Sequence, residues 1–233
     1  MLEEAINYPR EDEEWVRNVL IGAVLTLFGV LVVPAVLVFG YYMRVMRGSL
    51  AGDAEPPRFD EWGDLFSDGL KGFVVAFVYM LVPAVVFGVS VGGLVTAAAF
   101  GNGNVGVGSI LGALAGFTLS AIIALAFWYV VPAAVANVAR TGNVGSGFAF
   151  GELRPALLSG AYAVPWLLSV GVLVVAGVVT GVLNAVPVLG FLLAIPVTFY
   201  ATVVAFRLTA LGFGDATDGL VERPEEPAVR SSA

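Results

Sequence analysis

The chain has 233 residues, of which 59% are hydrophobic and 12% charged, against about 25% charged in ordinary soluble domains. Its formal net charge of −7 rests mainly on the N-terminus, residues 44–71 and the C-terminal tail, a balance that repels phosphates and argues against nucleic acid as a partner. Cysteine and histidine are both absent, which excludes disulfides, thiolate nucleophiles, lipidated cysteines, imidazole bases and histidine-ligated metals.

The charged residues fall between or outside five long apolar stretches: Val19–Met43, Gly72–Phe100, Gly108–Val138, Ala161–Val186 and Pro187–Phe206. A helix rises about 1.5 Å per residue, so about 20 apolar residues cross a hydrocarbon core of roughly 30 Å. The expectation is an all-α, polytopic transmembrane helical bundle. It has about five Pro-kinked helices and one or two short interfacial amphipathic helices. Residues 1–18 form a polar lead-in, 19–211 one transmembrane domain with helices near 19–43, 72–100, 108–138, 161–186 and 187–206, and 212–233 an acidic, disordered tail.

Residues 1–18 carry Glu11 to Glu14, with Trp15 placed at headgroup level. The acidic start and the full spanning length of the first apolar run argue against a signal peptide. In that first run Pro34 is either a kink or the divider of a re-entrant pair, which would put both chain ends on one side. Tyr41, Tyr42, Arg44 and Arg47 mark its interface. Turn residues Gly48, Gly52, Pro56 and Pro57 follow. In 59–73, Trp62, Leu65, Phe66, Leu70 and Phe73 recur at helical spacing with acids largely opposite. That pattern suits a segment lying in the interface plane. Membrane-interface candidates are therefore Arg44, Arg47, Trp62, Phe66, Lys71 and Phe73, the basic ones positioned for anionic headgroups.

Gly101 to Asn104 break the next charge-free region into two helices. Arg140 to Arg154 form a second polar connection, a weaker copy of 59–73, and Asn184 to Pro187 divide the last region. Close small-residue spacings at Gly88/Gly92, Gly108/Gly112/Gly116 and Gly177/Gly181 point to helix packing, internal or by self-association. With five crossings, Arg44, Arg47, Arg58, Lys71, Arg140, Arg154, Arg207, Arg223 and Arg230 share one side and Arg10 and Arg17 the other. The basic-residue rule then puts the N-terminus outside and the C-terminus in the cytoplasm of a multi-pass cell-membrane protein. Acid excess with a single lysine, Lys71, fits a high-salt medium; a GC-rich genome accounts for the same composition.

The stretch Gly40-Tyr41-Tyr42-x-Arg44-Val45-x-Arg47-Gly48, followed by Pro57-x-Phe59-x-x-Trp62-x-x-Leu65-Phe66-x-Asp68-Gly69-Leu70-Lys71, resembles the signature of the archaeal membrane family known as domain of unknown function 4013. Pro132-Ala133-x-x-x-Asn137 and Phe148-x-Phe150 are similar to its second element. The resemblance runs from about Trp15 to Gly214. It implies a multi-helix membrane protein, frequent in haloarchaea, with no established activity and no functional residues to transfer.

Other motifs carry less. Gly101-x-Gly103-x-x-Gly106 lacks the strand and soluble βαβ unit of a dinucleotide site. Gly212-Phe213-Gly214-Asp215 lacks the second intramembrane carboxylate of an aspartyl protease. The acids at Asp53, Glu55, Asp60, Glu61, Asp64 and Asp68 lack calcium-loop spacing and read as a solvated face. No ionisable residue lies within an apolar stretch, which counts against an ion-coupled carrier. The reading is a non-enzymatic module without a cofactor that organises lipid or binds a partner. Its partners are the lipid bilayer and, by self-association or otherwise, another membrane protein. The alternative is a permease or channel for a small neutral or weakly polar solute.

Overall fold

The computed structural model describes residues 1–100, 106–186 and 188–221. Its helices are α1 (Leu2–Asn7), α2 (Trp15–Leu27), α3 (Val32–Ala51), α4 (Trp62–Phe100), α5 (Val107–Thr141), α6 (Phe150–Leu157), α7 (Gly160–Leu183) and α8 (Leu189–Val221). Short 3-10 turns occupy Tyr8–Arg10 and Val144–Phe148, and no strand occurs among the described residues. The all-α bundle is as expected. Four helices, α4, α5, α7 and α8, are long and apolar enough to cross a membrane.

The long helices tolerate Pro83, Pro132, Pro165 and Pro196 in their interiors. Gly52 and Gly142 end α3 and α5 in the left-handed conformation, which glycine adopts without a Cβ penalty. The Gly101–Asn104 break, Pro187 and the tail beyond Val221 lie outside the described residues.

Three expected boundaries differ. The stretch 19–43 is not one helix, because the backbone leaves the helix at Phe28–Leu31 and restarts as α3. Pro34 sits in the first turn of α3, where a missing N–H costs nothing. Residues 62–73 are not a separate in-plane helix. They are the first turns of α4, since nothing between Asp68 and Gly72 stops the helix and the segment is fastened to α3. Residues 212–221 are helical rather than disordered. Phe213, Ala216 and Thr217 are buried there, which supplies the packing that the acidic composition conceals.

The bundle is organised as two hairpins, α4–α5 and α7–α8, joined through α3, which packs on both α4 and α8; α2 lies against α8. At the α3–α4 crossing, a Cβ on Gly40 would collide with the Leu65 carbonyl, and one on Gly69 with the Val36 carbonyl. The backbones are in contact there. Gly212 similarly seats α8 on Pro165 and Ala161 of α7. Between α4 and α5, Ser120 Oγ donates to the Pro83 carbonyl at 2.9 Å and Phe87 meets Phe117.

The core sits at one end. Buried positions in α4 stop at Pro83, those in α5 cluster at Ala133–Ala139, and those in α7 stop at Ser169. Met43, Met46, Val75, Tyr79, Leu153, Tyr162 and Phe213 fill that end. A second cluster stacks Tyr41 on Phe59 at 4.2 Å and Tyr42 on Phe206 at 4.7 Å, with Phe199 beside them. Beyond the core, side chains such as Val89, Leu111, Leu125, Val178 and Val182 are exposed. An apolar surface of that extent is matched to lipid rather than water.

Candidate functional site

The charged and polar side chains gather at the core end of the bundle and pair with one another there. Arg47 on α3 forms a two-point fork with Asp68 on α4, at 2.9 and 3.0 Å, and its Nε donates to the Ala139 carbonyl of α5 at 3.1 Å. One side chain thus ties three helices. Lys71 adds a contact to Asp68 at 3.5 Å. Arg44 reaches Asp60 at 2.9 Å and Glu61 at 3.4 Å, closing the 52–61 loop onto α3. Asn137 donates from α5 to Glu152 of α6 and to the Ser146 carbonyl, both at 3.0 Å.

The N-terminal segment belongs to the same layer. Asp12, buried, accepts from Arg58 at 2.8 Å and from Asn18 at 2.8 Å. Arg207, 4% exposed, donates to the Asp53 carbonyl at 3.1 Å and to Glu4 at 3.4 Å, with its guanidinium 3.7 Å from the Tyr8 ring centroid. These bonds place residues 4–12 at the same end as the 44–71 loop, so the expected arrangement, with the N-terminus across the membrane from that loop, is not the one formed. The physical reason is the break at Phe28–Leu31, which folds α2 back against α3.

Burial alone would push the Asp12 carboxyl up, but the Glu14 backbone N–H, Arg58 and Asn18 outweigh it and hold it below the ordinary carboxylate range. A carboxyl depressed on folding stabilises the folded form above its unfolded pKa, about 3.9, and the contribution is lost as pH falls through the folded value. The Asp12–Arg58 latch is therefore expected to hold from neutral pH down to about 5 and to loosen below about 4. Protease cleavage of the N-terminal segment reads this directly. Asp12→Asn should flatten the pH response, and an equal acid-induced rise in that variant would refute the assignment.

Between α3, the 52–61 loop and the start of α4 lies a cleft of about 1050 Å³, lined among others by Arg44, Arg47, Asp53, Glu55, Asp64, Asp68 and Lys71. Arg44, Arg47 and Lys71 are engaged by carboxylates, whereas Asp53, Glu55 and Asp64 have no basic partner within ion-pair distance among the described residues. The cleft therefore presents net acid. Among the described residues, no group of three or more carboxylates is placed to hold a metal ion.

Of the interface candidates, Arg44, Arg47 and Lys71 are committed to these pairs. Trp62 is half exposed and stacked over Phe59 at 6.1 Å, Phe66 is half-buried, and Phe73 is exposed beside Phe77. Of the packing glycines, only Gly116 meets a neighbour among the described residues, Ser90; a Cβ at Gly88, Gly92, Gly108, Gly112, Gly177 or Gly181 would meet none of them within 4 Å. Those six line open faces. Asp215 is exposed on α8.

Sequence reasoning missed Arg207, Tyr8 and Asp12. Arg207 is an ionisable side chain enclosed by the helices at their polar end. It falls on the stripe of Phe199, Val203, Ala210 and Phe213, all buried, so helical periodicity was the signal that could have found it.

A search of curated proteins and one of solved structures each found no match. Residues 24–185 match the family described as "Protein of unknown function (DUF4013)". That stretch contains the α3–α4 crossing, the Arg44 and Arg47 pairings and the Asn137 network, and on it the chain belongs to the DUF4013 family.

Proposed function

We propose that the protein is a non-catalytic, multi-pass membrane module of a halophilic archaeon. Four helices span the bilayer, α2 and α3 form a re-entrant pair, and the polar layer at the cytoplasmic face recruits a partner protein. The observation that carries this reading is the acidic cleft. Its bases are consumed by carboxylates of α4 and the 52–61 loop, while Asp53, Glu55 and Asp64 are left toward solvent. That arrangement makes a rigid docking surface for a basic segment, and it counts against anionic headgroups binding there. The chemistry of a reacting centre is not needed to explain it.

The cytoplasmic assignment follows the basic-residue rule. With the N-terminal segment folded back, Arg10 and Arg17 join Arg44, Arg47, Arg58, Lys71, Arg140 and Arg154 at one end. Acid excess with one lysine supports a high-salt cytoplasm.

The test uses the absence of native cysteine. Cysteines replacing Glu3 and Glu55 should label from the same, cytoplasmic side, and labelling from opposite sides would overturn the re-entrant pair. A photo-crosslinking residue at Glu55 should trap one protein of defined mass, lost on Asp64→Arg, while one at Val89 should trap lipid. Solute flux into proteoliposomes above that of empty liposomes would replace this reading with a permease.

A further inference from the structure

We propose that the groove between the N-terminal segment and the α7–α8 hairpin holds one hydrocarbon chain of an anionic phospholipid of the surrounding bilayer, with Arg10 at its phosphate. The site is distinct from the acidic cleft. It shares with the preceding reading only the placement of α7 and α8 in lipid.

The groove measures about 700 Å³. Its walls are apolar: Leu168, Val172 and Val175 on α7, and Pro196, Ala201 and Val204 on α8. On α7 the lining runs from Leu167 to Val179, roughly 18 Å at the helical rise, against roughly 15 Å for the hydrocarbon of one leaflet. α7 starts at the polar end, after α6, so Val179 lies deep and Leu167 shallow.

The polar groups come from the N-terminal segment and from Tyr200, which lies midway along the α8 lining between Pro196 and Val204. Arg10 lines the groove with Trp15 and Tyr200, its guanidinium 5.7 Å and 5.6 Å from their ring centroids. Its neighbours Tyr8 and Asp12 are held in the polar layer by Arg207 and Arg58, which tethers Arg10 on both sides. Arg44, Arg47, Arg58, Lys71 and Arg207 each meet a carboxylate. Arg10 meets none among the described residues. An exposed cation framed by an indole and a phenol, beside an apolar trough one leaflet long, is complementary to a phosphate with its attached chain. A second protein helix would fill the trough but leave that charge unanswered.

The experiment is native mass spectrometry of the full chain in mild detergent, with phosphatidylglycerol and phosphatidylcholine of identical chains as probes. The wild type should retain phosphatidylglycerol in preference. Arg10→Gln should reduce that preference about fivefold, the effect of one basic residue at a membrane surface. Gly171 lines the groove and a Cβ there meets nothing within 4 Å, so Gly171→Leu should fill the trough without disturbing the fold and abolish retention of both lipids. Gly181→Leu, also on an open face but outside the groove, should retain them. An unchanged lipid ratio in Arg10→Gln, unchanged retention in Gly171→Leu, or a dimer mass in place of lipid adducts would overturn the proposal. None of these results bears on the Glu55 crosslink. Loss of that crosslink with lipid preference intact would sink the partner-docking reading alone.

Discussion

Gly40→Ala and Gly69→Ala are each expected to destabilise the protein, although alanine is the better helix former. At ordinary helix positions the change favours folding by up to about 1 kcal/mol. At these two it drives a methyl group into a backbone carbonyl of the facing helix, Leu65 in one case and Val36 in the other. Backbone gives way far less readily than a side chain, so α3 and α4 must separate. Overpacking of this kind costs about 1–3 kcal/mol and occasionally more. Separation also stretches the Arg47–Asp68 fork, which spans the same pair of helices. Thermal unfolding in detergent should show both variants melting several degrees below the wild type, about 2–4 °C for each kcal/mol. Gly88→Ala is the internal control. A Cβ there meets nothing within 4 Å, so that variant should melt at or above the wild-type temperature. A Gly40→Ala protein that melts with the Gly88→Ala protein would show that the two backbones do not touch.

Arg207→Leu has the second large effect. The guanidinium joins three parts of the chain that are remote in sequence: Glu4 before α2, the Asp53 carbonyl after α3, and α8 itself. Hydrogen bonds from a charged group are worth about 1.5–3 kcal/mol each, and breaking a buried ionic contact about 3–5 kcal/mol. The Glu4 side chain is 64% exposed and regains water when freed, so the loss should fall near the lower figure, about 3 kcal/mol. The N-terminal segment should then become more accessible to protease at neutral pH, although the Asp12–Arg58 latch remains. Arg207→Lys keeps the charge but cannot reach both partners with one planar fork, and should lie between the two. An unaltered cleavage rate in Arg207→Leu would mean that the N-terminus is held by something else.

The acidic-latch experiment and the Arg207 experiment use one readout and have different pH signatures. Protonation of Asp12 matters only below about 4, whereas removal of Arg207 acts at every pH. Together they resolve which anchor dominates.

The membrane class was legible because it rests on composition and run length. α4, α5, α7 and α8 each carry an unbroken apolar stretch, and their partition into lipid needs no knowledge of neighbours. The all-α architecture follows from the same fact, since a backbone in hydrocarbon must satisfy its own hydrogen bonds. The first apolar stretch was ambiguous for a local reason. A Pro at position 34 can kink a helix or open one, and only the packing of α2 on α8, with Gly22 against Phe199, selects the opening.

The polar layer was half legible. Arg44, Arg47 and Lys71 were singled out because they flank the apolar stretches, which is a one-dimensional property. Their partners were not, because Asp60, Glu61 and Asp68 look from sequence like a free acidic face. Nor could spacing tell which glycines touch a neighbour. Gly88 and Gly92 match the packing pattern and face open space, whereas Gly40 and Gly69 lie far apart in the chain and meet backbone to backbone.

By itself, then, the sequence determined the solvent of this protein: its hydrocarbon-length apolar runs, uninterrupted by charge, need lipid around them and helices within it. What only the tertiary structure decided is how the ends are tied. Pairings such as Glu4 with Arg207, Asp12 with Arg58 and Asp68 with Arg47 join residues from 21 to 203 positions apart. A charge in sequence carries no address for its partner, and that address exists once the helices have packed.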